Sequence, residues 1–270
     1  MPELPEVETT VRGLEKVLLG KKLESVKAFR NNLRRPIPED IIERLEGCIV
    51  SSLGRRAKYG LIFTNRQDVL VFHLGMSGRW RIDPSIIEKH DHFLIKTADG
   101  CCVTLYDPRR FGSLDLVKRE VLAIWPYFLK LGPEPLSDDF TVDFLAEKLT
   151  RYSSSIKKIL LNQNIVAGLG NIYVCETLYK SGIHPSRSGK SLNFQEIESL
   201  VKNIKLILEE AISKGGSTLR DYAQPDGELG YFSNFFQVYG KEGDKCQCGT
   251  PIMRSIEGGR STYFCPSCQK

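Results

Sequence analysis

No apolar run in this sequence approaches the ~20 residues that a membrane-spanning helix needs. A helical membrane protein is therefore excluded. The chain has no basic segment followed by an apolar stretch at its start, so no secretory signal is expected and the protein should stay in the cytoplasm. It has no long internal repeat and no low-complexity tract, which leaves repeat architectures without support. Neither sign of charge dominates, with 38 Lys+Arg against 33 Asp+Glu and a net charge of +5. That balance leans toward an anionic partner without identifying nucleic acid.

What is present suits a globular protein. The 270 residues, 41% hydrophobic and 26% charged, are enough for one large domain or two to three small ones. Basic residues cluster at Arg34-Arg35, Arg55-Arg56-x-Lys58, Arg109-Arg110 and Lys157-Lys158; a single such pair most often marks a solvated face. Of eight cysteines, Cys48, Cys101, Cys102 and Cys175 lie in apolar surroundings and read as small core residues. The other four fall within the last 25 residues.

Apolar residues at Val7, Val11, Leu14 and Leu18 have helical spacing, and Gly20 ends that helix. Eight short runs rich in β-branched and aromatic residues follow: LESVKAF, CIVSSLG, KYGLIFT, DVLVFHLGM, GRWRI, HFLIKTA, CCVTLYD and SLDLV. TNRQD and TADGC read as hairpin connections. With no long helix between them, these strands imply an antiparallel sandwich or barrel. The segment 125–136, with three prolines and a glycine, reads as a boundary.

Beyond it the period becomes helical. Asp138 or Asp139 can cap a helix through Leu149, and Ser153 to Ser155 can cap another near Ile156. A helix is expected from Asn171 to Ser181. The longest, capped by Asn193, should run to Lys214 and stop at Gly215-Gly216. The last two form a helix–two-turns–helix candidate. The polar, glycine-bearing stretch 217–233 reads as a mobile, functional loop. The expected fold is thus α+β and multidomain: an N-terminal helix with an antiparallel β-sandwich at 1–130, a helical part at 131–235 and a C-terminal module at 236–270.

That module carries Cys246-x-Cys248 and Cys265-x-x-Cys268. Two close cysteine pairs separated by strand-like segments suit one structural Zn²⁺ held by four thiolates, stapling a β-hairpin. So small a module needs metal binding to fold. The first pair is one residue shorter than the usual Cys-x-x-Cys, which leaves the ligand role of Cys246 open. Arg260, in GGRST, would lie at the hairpin tip, either as a solvated turn arginine or as a cation carried on a rigid arm.

The first residues pose a separate question. Pro5 and Glu6 suit a helix start, and Glu8 reads as ordinary helix-start charge. Pro2 and Glu3 have no such explanation.

MPELPEVETTVRGL, HLGMSGRWRI, DPRRFGSL, GLGNIYVCE and GGRSTYFCPSCQK, in this order, closely resemble bacterial formamidopyrimidine-DNA glycosylases along essentially the whole chain. The related endonuclease VIII-type enzymes usually open PEGPE rather than PELPE. The resemblance implies base-excision DNA repair by a monomeric, cytoplasmic bacterial enzyme that joins the nucleoid during repair. Its partner would be double-stranded DNA containing an oxidised purine. Pro2, freed by removal of Met1, would be the Schiff-base nucleophile. A terminal amine titrates near ~8 against ~10.4 for lysine, so it is better poised to attack at neutral pH.

The resemblance further implies Glu3 as general acid/base, Glu6 as the group positioning the terminus, Lys58 as proton donor for β-elimination and Arg260 for δ-elimination. Met76, Arg109 and Phe111 would fill the void left by the everted base; without the family, Met76 and Phe111 read as core residues. His73, His90, Arg109, Ser153, Lys157, Asn171 and Tyr239 would contact DNA. Ser153 stands where relatives commonly carry a basic residue, a role Arg151 could take. The 217–233 loop would close over the base. Rival readings are an enzyme of this fold acting on oxidised pyrimidines, a non-catalytic DNA-binding protein, and a structural zinc protein that binds RNA.

Overall fold

A computed structural model of the chain describes residues 1–218 and 222–270. It has two compact units, each assembled from separate stretches of chain: 1–129 with 212–233, and 130–211 with 234–270.

The first unit opens with α1 (Leu4–Leu18), whose buried face carries Val7, Val11, Leu14 and Leu18. The eight expected strands all form: β1 (Leu23–Ala28), β2 (Val50–Arg56), β3 (Tyr59–Thr64), β4 (Asp68–His73), β5 (Arg79–Ile82), β6 (Asp91–Thr97), β7 (Cys102–Tyr106) and β8 (Ser113–Lys118). They make two antiparallel sheets, ordered β1-β6-β7-β5 and β2-β3-β4-β8. One core joins their inner faces, with Val26, Trp80, Phe93 and Leu105 from the first sheet against Ile62, Leu70, Phe72 and Leu114 from the second, closed by α1. Trp80 sits edge-on to Phe72 and Phe93, with ring centroids 5.5 and 6.4 Å away, a favoured aromatic geometry.

Two short elements in this unit carry no sequence signal. They are α2 (Ile41–Leu45) and a 3₁₀ turn at Arg119–Ile124. At five and six residues, neither is long enough to establish a period. Cys48 is buried as expected, whereas Cys101 and Cys102 are only half-buried beside the β6–β7 turn. Burial and the nearby Asp83 and Asp99 carboxylates push the Cys101 thiol up to about 11.

The second unit contains α3 (Val142–Thr150), α4 (Ile156–Leu161), α5 (Asn171–Lys180) and α6 (Phe194–Ser213), whose last two residues pass into the first unit. The cap of α3 is Thr141, whose Oγ1 accepts the Phe144 N–H at 3.1 Å; neither Asp138 nor Asp139 serves. Asn193 and Glu196 form a reciprocal capping box at the head of α6, with bonds of 2.8 and 2.9 Å. Between α5 and α6 lies the double turn, braced by Arg187, which grips Glu196 with both terminal nitrogens at 2.6 and 3.0 Å. The tail folds into β9 (Met253–Glu257) and β10 (Arg260–Phe264), an antiparallel hairpin whose turn residues Gly258 and Gly259 both take positive φ. No helix among the described residues is long and apolar enough to cross a membrane.

Candidate active site and nucleic-acid interface

The head of α1 is built around carboxylates. Pro5 lies in the first turn, where its missing N–H is harmless. Glu3 is the N-cap, and Glu6 reaches back so that one of its oxygens accepts the Glu3 N–H at 2.8 Å. Its other oxygen accepts the Ser217 N–H at 2.8 Å, and the Tyr222 hydroxyl donates to the Glu6 carbonyl at 3.1 Å. Pro2, Glu3 and Glu6 are all buried, while Met1 is exposed.

Glu8 does more than complement a helix terminus. It accepts hydrogen bonds from Arg55 at 2.9 Å and Arg12 at 2.8 Å. Burial opposes its charged form, but the two guanidinium groups outweigh that and hold its carboxyl below the usual range. Arg55 in turn donates to the Ala57 carbonyl at 2.9 Å. The start of α1 is thereby fastened beside the β2–β3 turn that carries Lys58, a buried lysine.

At this same end of the sandwich, two turns cross from one sheet to the other. The first, 74–78, joins β4 to β5 and presents Met76; the second, 107–112, joins β7 to β8 and presents Arg109 and Phe111. Strand register fixes the arrangement, because Tyr59 pairs with His73 and His73 with Ser113. Met76 is 40% and Phe111 43% exposed, high values for apolar side chains beside a well-packed core. The Arg109 guanidinium lies over the Phe111 ring, 4.8 Å from its centroid. The turns are in backbone contact: a Cβ on Gly75 would lie 2.3 Å from the Phe111 carbonyl carbon, so glycine is required there.

His73 supports this end from below. Its Nδ1 accepts the Gly75 N–H at 3.0 Å, which requires that nitrogen to be unprotonated. Burial, followed by the charges of Lys58, Arg34 and Arg35, lowers its pKa to about 4, consistent with that tautomer. His90 precedes β6, and its carbonyl accepts the Asp107 N–H at 2.9 Å.

The stretch after α6 is tied down on both flanks of the undescribed residues. Ser217 bridges Tyr231, Thr218 donates to the Tyr222 carbonyl at 2.9 Å, and the Pro225 carbonyl accepts the Ile82 N–H at 2.7 Å. The expectation of a mobile, base-covering loop at 217–233 falls partly on 219–221, outside the described residues.

In the second unit, Arg260 is exposed at the hairpin tip. Lys157 is fully buried, and its ammonium donates to the Ser261 carbonyl at 3.0 Å and the Thr262 hydroxyl at 2.6 Å. Asn171, at the head of α5, donates to the same carbonyl at 2.8 Å. Two expected phosphate ligands thus both hold the backbone next to Arg260, and Lys157 faces the hairpin rather than solvent. Ser153 is exposed just ahead of α4, and the nearby Arg151 pairs with Glu147. Tyr239 is half-buried, its ring 5.1 Å from that of Tyr263.

Sequence reasoning missed Glu176. Its buried carboxylate accepts the N–H groups of Gln237, Val238 and Tyr239 at 2.8 to 3.0 Å and so fixes the chain entering the tail module. It also missed Asp107, which joins the two crossover turns. Neither has a local signature for this role, because Ser77 is 30 residues from Asp107 and Gln237 is 61 residues from Glu176.

The Sγ atoms of Cys246, Cys248, Cys265 and Cys268 all lie within 4.8 Å of one another. Cys246 to Cys268 is 3.7 Å and Cys248 to Cys265 is 3.5 Å. A tetrahedron with Zn–S bonds of ~2.3 Å has S···S edges of about 3.8 Å, so the group fits a metal ion despite the short first pair. Cys246 also takes part in a hydrogen bond with the Tyr179 hydroxyl at 3.1 Å.

Comparison with known proteins agrees with this geometry. Residues 1–114 match the model of the formamidopyrimidine-DNA glycosylase N-terminal domain, and residues 131–223 match that of the formamidopyrimidine-DNA glycosylase H2TH domain. Formamidopyrimidine-DNA glycosylases of Zymomonas mobilis and Novosphingobium aromaticivorans are 61% and 56% identical, each over the full length of both chains. Among solved structures, a Lactococcus lactis Fpg mutant in complex with Fapy-dG-containing DNA is 40% identical with a TM-score of 0.91, again over the whole of both chains. The L. lactis Fpg bound to abasic-site DNA has the same identity and TM-score over 99% of each chain. On its motifs, its fold and its full-length similarity, the chain belongs to the formamidopyrimidine-DNA glycosylase family.

Proposed function

We propose that this protein is a bifunctional DNA glycosylase and abasic-site lyase of base-excision repair, acting on oxidised purines in double-stranded DNA. The observation that carries the reading is the Pro2-Glu3 start, buried and anchored by Glu6, in a chain matching glycosylases from end to end. Once Met1 is removed, Pro2 offers a secondary amine. It attacks C1′ of the damaged nucleotide, the glycosidic bond breaks, and the base leaves with a proton. Glu3 protonates the sugar ring oxygen as the ring opens, leaving an iminium between Pro2 and C1′.

Loss of the C2′ proton then expels the 3′ phosphate, with Lys58 as proton donor. A second elimination, assisted by Arg260, expels the 5′ phosphate, and water releases Pro2. The product is a one-nucleotide gap.

Eversion of the base leaves a void in the duplex. Met76, Arg109 and Phe111 fill it: a thioether, a cation able to bond the orphaned cytosine, and a ring that stacks. His73, His90, Asn171, Tyr239 and the basic groups near Ser153 face the DNA backbone, with Lys157 and Asn171 stabilising the arm that delivers Arg260. The four cysteines hold Zn²⁺, which supplies structure to the hairpin and no chemistry to the reaction. The enzyme works as a cytoplasmic monomer in a bacterial cell.

Borohydride reduction tests the reading. A covalent complex should form with duplex DNA carrying 8-oxoguanine opposite cytosine, and more slowly with thymine glycol. Intact DNA binding without trapping would leave a binding protein. Faster trapping on thymine glycol would place the enzyme in the pyrimidine branch.

A further inference from the structure

The two turns that present Met76 and the Arg109–Phe111 pair are joined by one buried carboxylate. Asp107 has no solvent exposure. One of its oxygens accepts the Ser77 hydroxyl of the first turn at 2.7 Å, and the other accepts the Gly112 N–H of its own turn at 2.8 Å. The Ser77 oxygen also lies 3.4 Å from the Arg109 N–H. On the backbone side, the Asp107 carbonyl accepts the His92 ring nitrogen at 2.9 Å and the Arg110 N–H at 3.2 Å. Arg110 and Gly75 both take positive φ, so each turn has a particular shape that something must hold.

We propose that Asp107 is a positioning residue that couples the two crossover turns, so that Met76 on one and Arg109 and Phe111 on the other enter a duplex as a single rigid unit. The reasoning is energetic and geometric. Prying open a base pair requires force along one direction, and turns held together only by the close approach of Gly75 to the Phe111 backbone would yield at the seam between them. A buried carboxylate accepting donors from both sides is costly to leave unsatisfied, which makes the joined arrangement the stable one. Ser77, between Met76 and the strand that follows, is the contact through which the coupling passes. This inference rests on the glycosylase reading, since it concerns base eversion. Asp107 touches no reacting atom and has no part in the chemistry at C1′.

The test separates duplex opening from chemistry. Asp107→Ala removes the link, and Ser77→Ala removes the two Ser77 contacts between the turns, to Asp107 and to the Arg109 N–H, leaving the Gly112 contact in place. Three readouts are compared with the wild type: unstacking of a 2-aminopurine beside the lesion in stopped flow, excision of 8-oxoguanine from duplex, and borohydride trapping on a single-stranded oligonucleotide with a preformed abasic site. The last requires no eversion and no wedge.

Both variants should slow unstacking and duplex excision in parallel, Asp107→Ala by about tenfold or more, the scale expected for losing hydrogen bonds to a buried charge. Single-strand trapping should stay within about twofold of the wild type, since the Pro2 chemistry is untouched. Adding Met76→Ala to Ser77→Ala should give less than the product of the single effects. Unchanged unstacking in Ser77→Ala overturns the proposal, as does a matching loss of single-strand trapping in that variant. A wild type that fails to trap defeats the glycosylase reading itself, which is a separate result.

Discussion

Glu6 and Ser217 are hydrogen-bonded, carboxylate oxygen to backbone N–H, across 2.8 Å and 211 positions of sequence. The same carboxylate holds the Glu3 N–H with its other oxygen, so a single side chain sets the head of α1 against the chain that returns after α6. Glutamine has one acceptor oxygen, and its amide nitrogen would confront an N–H donor. Glu6→Gln should therefore destabilise the first unit by about 1–3 kcal/mol. Urea unfolding followed by the fluorescence of Trp80 and Trp125, both in the first unit, would measure this. The same variant should trap more slowly on abasic DNA, because Pro2 and Glu3 lose their anchor.

A chain that keeps Met1 has its proline nitrogen locked in a peptide bond and should be inert in trapping. Mass spectrometry of trapped and untrapped fractions checks this directly, and the covalent adduct should contain only the processed form. Pro2→Gly, processed in the same way, presents a primary amine of altered geometry and should lose most of its trapping with no change in far-UV dichroism. Undiminished trapping in that variant would assign the nucleophile to another amine.

His73 gives the first unit a pH dependence of definite sign. Its folded pKa, about 4, lies below the unperturbed value of 6.5, so the unfolded chain takes up a proton first as pH falls. The stability contributed by the neutral ring is present above about 6.5 and is lost as pH falls toward 4. Protonation of Nδ1 would also remove the acceptor for Gly75, loosening the turn that carries Met76. His73→Gln should flatten the slope of urea midpoint against pH between these values. A slope identical to the wild type would remove His73 from the account.

Zinc should be present at one equivalent per chain and be released by chelation or by Cys248→Ser. Without it the hairpin of β9 and β10 lacks the area to stay folded, and limited proteolysis should cut within 236–270. The eight-stranded first unit should keep its thermal transition. A metal-free chain whose tail resists protease would refute the structural role of the ion, and metal analysis of Cys246→Ser would settle whether the short pair supplies a ligand.

Lys157→Met preserves the packed stem and deletes the ammonium that holds Ser261 and Thr262. Arg260 is then carried on a looser arm. Base removal should proceed while the second elimination lags, so that the β-elimination product accumulates relative to the gapped product on a sequencing gel. Equal slowing of both steps would assign Lys157 to substrate binding instead.

The sequence displayed those parts of the molecule that rest on local patterning. The eight strands alternate or run apolar between turn residues, and α1, α5 and α6 show helical spacing with recognisable caps. Pro2 and Glu3 stood out because the sequence pattern offered no structural role for them, although Glu3 proves to be the N-cap of α1. Thr141 was passed over for Asp138 and Asp139 because all three are good cap residues, and only the Phe144 N–H decides among them. Glu8, Asp107 and Glu176 were opaque for a deeper reason. Each has a partner tens of positions away, Arg55 for Glu8, Ser77 for Asp107 and Gln237 for Glu176, and a one-dimensional pattern holds no record of which distant donors a carboxylate will meet. The cysteine pairs were legible, yet that the short first pair still brings its sulfurs within 4.8 Å of the second pair could be seen only from the four positions in space.

The chain crosses between its two units three times, lending 212–233 back to the first before completing the second with 234–270. During synthesis this imposes an order. Helix α1 emerges first, but the Ser217 that satisfies Glu6 emerges about 10–40 s later at roughly 5–20 residues per second. Lys157 likewise has no partner until Ser261 and Thr262 leave the ribosome. Neither half of the protein can finish before the other is nearly made. A nascent chain stalled short of 234–270 should already hold Glu6 against Ser217 but leave the Lys157 ammonium without Ser261 and Thr262.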